Sequence, residues 1–141
     1  MKVPFYKLLI ISFIGSLFYF LIGFVIFDLI LGSYTEAHTT QISGFKKSTD
    51  FSFLFLYISC LAYSILLTFT LHHTTILQTK KAFMFSAILG VLIAAMTDFY
   101  WYASSNFYSN FIVIALDFFG AALSVGLTGG LIFVLLKKQN K

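Results

Sequence analysis

Four apolar stretches take up most of this chain, each close to the roughly 20 residues a helix needs to cross the hydrocarbon core of a bilayer. They run over about 8–31, 51–71, 82–102 and 111–136, and the segments between them are short and polar. In lipid every backbone N–H and C=O must be satisfied within the spanning segment, so a stretch of this kind has to be helical. The expected fold is an all-α membrane protein: a four-transmembrane-helix bundle forming one domain over residues 1–141. Scarcity of charge agrees. Only 10% of residues are charged, against about 25% in soluble domains, too few to cover a water-facing surface. The first stretch follows Lys2 and Lys7 but is far longer than the ~7–15 apolar residues of a signal peptide, so it is expected to be retained as the first helix.

Orientation follows from lysine placement, because short cytoplasmic loops are enriched in basic residues. With the N-terminus inside, Lys2, Lys7, Lys80, Lys81, Lys137, Lys138 and Lys141 are cytoplasmic, and only Lys46 and Lys47 are external. Seven against two predicts both termini inside (N-in/C-in). The lysines come in pairs separated by long apolar runs, not as the clustered patch a nucleic-acid surface requires, so no nucleic-acid partner is expected. The bilayer itself is the expected partner, with a homo-oligomer or another membrane protein left open. Phe99, Tyr100, Trp101, Tyr102, Phe107 and Tyr108 gather near the outer ends of the third and fourth stretches. They read as an interfacial aromatic belt, or alternatively as a stacking wall for a ligand. Cys60 is the only cysteine, which excludes an intramolecular disulfide and CxxC redox or zinc chemistry.

Charges within spans are costly and mark candidate functional positions. Asp28, Asp98 and Asp117 qualify. Helices one and three end shortly after Asp28 and Asp98, and Asp117 lies about 10 Å along helix four from its outer end. The topology therefore brings all three carboxylates to the outer half of the bilayer. At about 100° per residue, Gly120, Ala121, Ser124 and Thr128 share the face of Asp117, while Ala87, Val91, Ala94, Ala95 and Tyr102 lie near Asp98 in phase. Ser52, Ser59, Tyr63 and Thr70 form one line on helix two. Small residues permit close approach and hydroxyls can bond across helices. These faces are expected to meet in a narrow polar seam that opens outward, with Asp28, Asp98, Asp117, Tyr63, Tyr102 and Ser124 as candidate ligand-binding residues. Contact with interfacial water for Asp28 and Asp98, and a structural hydrogen bond for Asp117, are the plainer readings. On the same argument Gly120 should tolerate a leucine less well than Gly129.

Three carboxylates with Glu36 and His38 nearby leave a metal open, but no HxxxH or ExxH spacing is present. His72 and His73 are adjacent, so they diverge by about 100° on a helix, and no histidine pair is placed for haem. No cofactor is expected. Gly-x-Ser-x-Gly, phosphate-loop and Gly-x-Gly-x-x-Gly patterns are lacking, which weighs against an enzyme. Gly126 and Gly130 make a GxxxG step, read as packing within the bundle.

Gly90, the run Thr97-Asp98-Phe99-Tyr100, Asn106 and Asp117-Phe118-Phe119-Gly120, with Gly23 through Asp28, carry a resemblance. They are similar to an uncharacterised group of small four-helix bacterial membrane proteins with an Asp in helices one, three and four. Thr97 stands where that group has tyrosine, Phe119 where it has tryptophan, and Asn106 is displaced. The resemblance implies a multi-pass protein of the bacterial cytoplasmic (inner) membrane, and no activity. Three functions stay open: binding or transport of a small ligand or cation through the carboxylate seam, a non-catalytic accessory subunit of a membrane complex, and a lipid-modifying membrane enzyme.

Overall fold

The computed structural model describes residues 3–40 and 52–139. Lys2, Lys46, Lys47, Lys141 and the expected start of the second span at Phe51 lie outside the described residues. Pro4 opens helix α1 (Phe5–Gly23). The first amides of a helix lack partners in any case, so a proline costs little at that end. Its carbonyl accepts from the N–H groups of Lys7 and Leu8 at 3.0 and 3.3 Å. α1 runs directly into a π-helical segment, Phe24–Ile30, closed by a bond from the Leu31 N–H to the Ile26 carbonyl at 2.9 Å. A short helix α2 (Gly32–Ala37) follows, where the sequence suggested loop. Then come α3 (Phe53–His73), α4 (Thr79–Ser104) and α5 (Phe111–Lys138). Asn110 caps α5 by accepting from the Ile112 N–H at 2.9 Å, and Lys137 and Lys138 lie at its C-terminal dipole. Four helices, Phe5–Ile30, Phe53–His73, Thr79–Ser104 and Phe111–Lys138, are long and apolar enough to cross a membrane.

These four do not pack as equals. Of the most apolar window of α5, 61% is buried, against 22–28% for the other three. α5 is the central post: α1 and α3 pack on one side of it, and α4 packs almost wholly on it from the other. α1 runs antiparallel to α3 and to α5, and α4 antiparallel to α5, while α3 and α5 run parallel. Ser64 of α3 donates to the Ser12 carbonyl of α1 at 2.7 Å, and the Ser16 and Tyr57 hydroxyls are 2.9 Å apart. A Cβ at Gly15 would lie 2.5 Å from Ser64 Oγ and 2.9 Å from Ile132, so glycine is what lets α1 approach α3 and α5 this closely.

The α4–α5 seam is built from residues four apart. Ala82, Ser86 and Gly90 are buried on α4, and Ala121, Val125, Gly129 and Phe133 on α5. A Cβ at Gly90 would meet Val125 at 2.8 Å and the Ala121 carbonyl at 2.9 Å, and one at Gly129 would overlap the Ser86 side chain. Gly129 is therefore the tighter site. A Cβ at Gly120 would come 2.7 Å from the ring of Phe27, so the expected order of Gly120 and Gly129 is corrected. Gly126 lies under the Phe83 ring, within the bundle.

The expected line on helix two is also corrected. Ser52 and Ser59 are exposed, and the buried face of α3 carries Ser64, Leu67, Thr68 and Leu71. A hydroxyl on a helix can bond the carbonyl one turn back, as Thr68 and Thr70 do at 2.8 and 2.7 Å, so hydroxyls alone do not mark the inward side. The end of the molecule away from the described lysines is closed by a small strap. Thr39 and Tyr108 form an antiparallel bridge. Around it the Thr40 N–H donates to the Phe107 carbonyl at 2.7 Å, and the Ser109 N–H to the His38 carbonyl at 3.1 Å.

Candidate carboxyl site

Steps of four along the α4–α5 seam lead from its glycines to two carboxylic acids. Ala82, Ser86, Gly90 and Ala94 end on Asp98; Phe133, Gly129, Val125 and Ala121 lead back to Asp117. Because the helices are antiparallel and Gly90 already touches Val125 and Ala121, two further turns bring Asp98 against Asp117. Their side chains are within hydrogen-bonding reach of one another. Asp98 is 5% exposed. Its Oδ1 accepts from the Tyr108 hydroxyl at 2.7 Å, while its Oδ2 has no hydrogen-bond donor among the described residues. Burial, and then the bond to Asp98, raise the Tyr108 hydroxyl above the ordinary tyrosine range, since its ionisation would place a second negative charge beside the acids.

Asp117 is half-buried and looks into a cavity of about 120 Å³. Its walls are Phe27 and Leu31 from the end of the first span, Thr35 from α2, Phe107 and Tyr108 from the strap, and Val113 and Asp117 from α5. Deeper in the molecule lies a second polar group. The ring of Tyr19 stacks on that of Tyr63 at 5.3 Å and 26°. Its hydroxyl lies beside Ser124 and within electrostatic range of Tyr63, Cys60 and Asp117. Ser124 is fully buried and donates to the Gly120 carbonyl at 2.8 Å. The Tyr63 hydroxyl has no partner among the described residues.

The fold thus places four of the six sequence candidates in two groups and leaves two outside both. Asp98 and Asp117 meet. Tyr63 and Ser124 stand apart from them, around Tyr19 and between α1, α3 and α5. Asp28 and Tyr102 join neither group. Asp28 is exposed on the π-helical segment, where the neighbouring Ile26 and Phe27 turn inward onto Gly120. Tyr102 is 50% exposed and packs edge-on against Phe111 at 6.2 Å. The single expected seam is in fact divided, because α3 and α4 lie on opposite sides of α5 and do not face one another. Glu36 is exposed, and His38 stacks on Tyr34 at 4.2 Å, so neither lines the cavity.

Two residues of the site were not among the candidates. Tyr108 was read as part of the aromatic belt, and nothing local says that it turns back toward Asp98. Tyr19 had a signal: Ser12, Ser16 and Tyr19 are spaced i, i+4, i+7 and share one face.

Two carboxyls in contact cannot both stay ionised in a low-dielectric site without a positive charge between them. The site can therefore hold one shared proton or one bound cation. Among the described residues no lysine or histidine lines the cavity to supply the charge, and no group of three or more His, Cys, Asp and Glu is placed for a metal. Among the described residues a tyrosine hydroxyl donates to one of the carboxyls. Compared with known proteins, the chain matches no family model, no curated protein and no solved structure.

Proposed function

We propose that this chain is a multi-pass membrane protein that binds a single cation, the proton included, between Asp98 and Asp117. The site is reached from the strapped end of the bundle, which the lysine asymmetry makes the outer side. The observation that carries this reading is the contact of two carboxyls from adjacent helices beside a cavity that one of them lines. Burying two acids together is costly unless something positive occupies the pair, and sites of that kind in membrane proteins serve ion pathways and proton relays. A four-helix chain is slim for a whole translocation path, so transport would call for association of several copies. The resemblance to small bacterial four-helix proteins supports a cytoplasmic-membrane location, and the aspartates it shares in helices three and four are the two that meet.

A structural pair locking α4 to α5, as in an accessory subunit, is the second reading. The near-complete burial of Asp98 and its bond to Tyr108 favour it. Infrared spectroscopy of the purified protein in cation-free buffer separates the two. A protonated-carboxyl band that disappears in both Asp98→Asn and Asp117→Asn, persists in Asp28→Asn and responds to added cations is the expected result. A band indifferent to cations leaves the structural pair, and no band attributable to either residue removes both readings.

A further inference from the structure

The cavity beside Asp117 has walls unlike those of an inorganic ion site. Of its seven lining residues among those described, three are aromatic (Phe27, Phe107, Tyr108), two are aliphatic (Leu31, Val113), and the others are Thr35 and Asp117. A hard metal ion takes six to eight oxygen ligands or retains its waters. Here it would exchange much of that shell for rings and methyl groups, at a desolvation cost that one carboxylate and two hydroxyls do not offset. An organic ammonium ion is different: its charge is spread over a weakly hydrated alkyl surface that aromatic faces attract. The negative charge it needs is at hand. Asp117 lines the cavity, and behind it Asp98, 5% exposed, holds Oδ2 without a hydrogen-bond donor among the described residues. Size sets the other limit. The cavity is about 120 Å³, somewhat below the roughly 150 Å³ that accepts benzene in an engineered core, so the occupant has about five non-hydrogen atoms.

We infer that the cation recognised beside Asp117 is a small alkylammonium group, between methylammonium and tetramethylammonium in size. This inference rests on the reading of Asp98 and Asp117 as a shared cation site and names its ligand class. The ammonium sits in the aromatic and aliphatic walls with its charge toward Asp117. Its arrival displaces the proton shared by the two acids, which leaves to solvent, so charge balances: one cation in, one proton out. Tetraethylammonium is too large to enter.

The test follows the protonated-carboxyl infrared band of the detergent-solubilised chain at fixed pH and ionic strength. Chloride salts of methylammonium, tetramethylammonium, tetraethylammonium, sodium, potassium and calcium are added separately. The expected result is loss of the band with methylammonium and tetramethylammonium and little change with the others. Phe27→Leu, which keeps an apolar wall but removes a ring, should raise the half-saturating tetramethylammonium concentration by about threefold to tenfold, as loss of a cation–π contact implies. Equal bleaching by sodium or potassium would overturn the alkylammonium assignment and leave the shared cation site standing. Failure of every salt to displace the band would overturn it too, together with the cation reading beneath it, leaving the structural pair. A spectrum with no band dependent on Asp98 or Asp117 would remove the underlying reading and this inference with it.

Discussion

Among the described residues Tyr108 is the one whose hydroxyl donates to Asp98, and it does so from a loop. Replacing it with phenylalanine leaves Asp98 without that donor. A hydrogen bond to a charged or proton-sharing carboxyl contributes about 1.5–3 kcal/mol; Tyr108 is half-buried, so a loss of about 1–2 kcal/mol is expected in thermal or denaturant unfolding. The pH dependence has a definite sign. Because folding raises the Tyr108 hydroxyl above its ordinary value of about 10, the stability it contributes is fully present below that pH and is lost as pH rises further. In an alkaline absorbance titration, Tyr108→Phe should remove a late-ionising tyrosine. A titration unchanged by the substitution would contradict the placement of Tyr108. At this scale the sequence was informative where neighbours shared a helix. Gly120, Ala121, Ser124 and Thr128, which share the face of Asp117, are all buried. Asp28 could also have been placed, since it lies about 160° round from Ser12 on a regular helix and so opposite the Ser12–Ser16–Tyr19 face. The reach of Tyr108 could not, because it depends on a strap between segments some 70 residues apart, such as the bond from Ser109 to His38 with a separation of 71.

The decisive element pair is α4 and α5, whose buried seams step by four residues and end on the two acids. Close approach along that seam depends on Gly90 and Gly129. Leucine at Gly129 collides with Ser86 across the interface, whereas leucine at Gly120 meets the Phe27 ring, a side chain able to swing aside. Gly129→Leu should therefore lower thermal stability in detergent more than Gly120→Leu, with overpacking of this kind costing about 1–3 kcal/mol or more. Equal stability of the two variants would contradict the register. Ser86 is a useful control, since its buried hydroxyl has no hydrogen-bond partner among the described residues. Ser86→Ala should be neutral or stabilising by up to about 1 kcal/mol, because it removes an unsatisfied polar group. The spans themselves were legible within a few residues, because length and hydropathy set them. The choice of partners was not. Apolar surface faces lipid and protein alike in a bilayer, so amphipathicity does not mark the inward side, and small residues four apart are a better guide.

Among the described residues the charges separate by end. Lys7, Lys80, Lys81, Lys137 and Lys138 lie at the ends of α1, α4 and α5 remote from the strap, while Asp98 and Asp117 lie near it. By the positive-inside rule the strap is expected to face outward. In a Cys60→Ser background, Asn106→Cys should react with a membrane-impermeant maleimide added to intact cells; protection until lysis would reverse the orientation. The shared carboxyl site depends on one juxtaposition, that of Asp98 with Asp117 and not of Asp28 with Asp117. Paired cysteines at those positions test it in native membranes, with a short thiol cross-linker and mass spectrometry as the readout. The 98/117 pair is predicted to cross-link readily and the 28/117 pair to remain free. A 28/117 cross-link forming as readily, or a 98/117 pair that never joins, would contradict the shared carboxyl site.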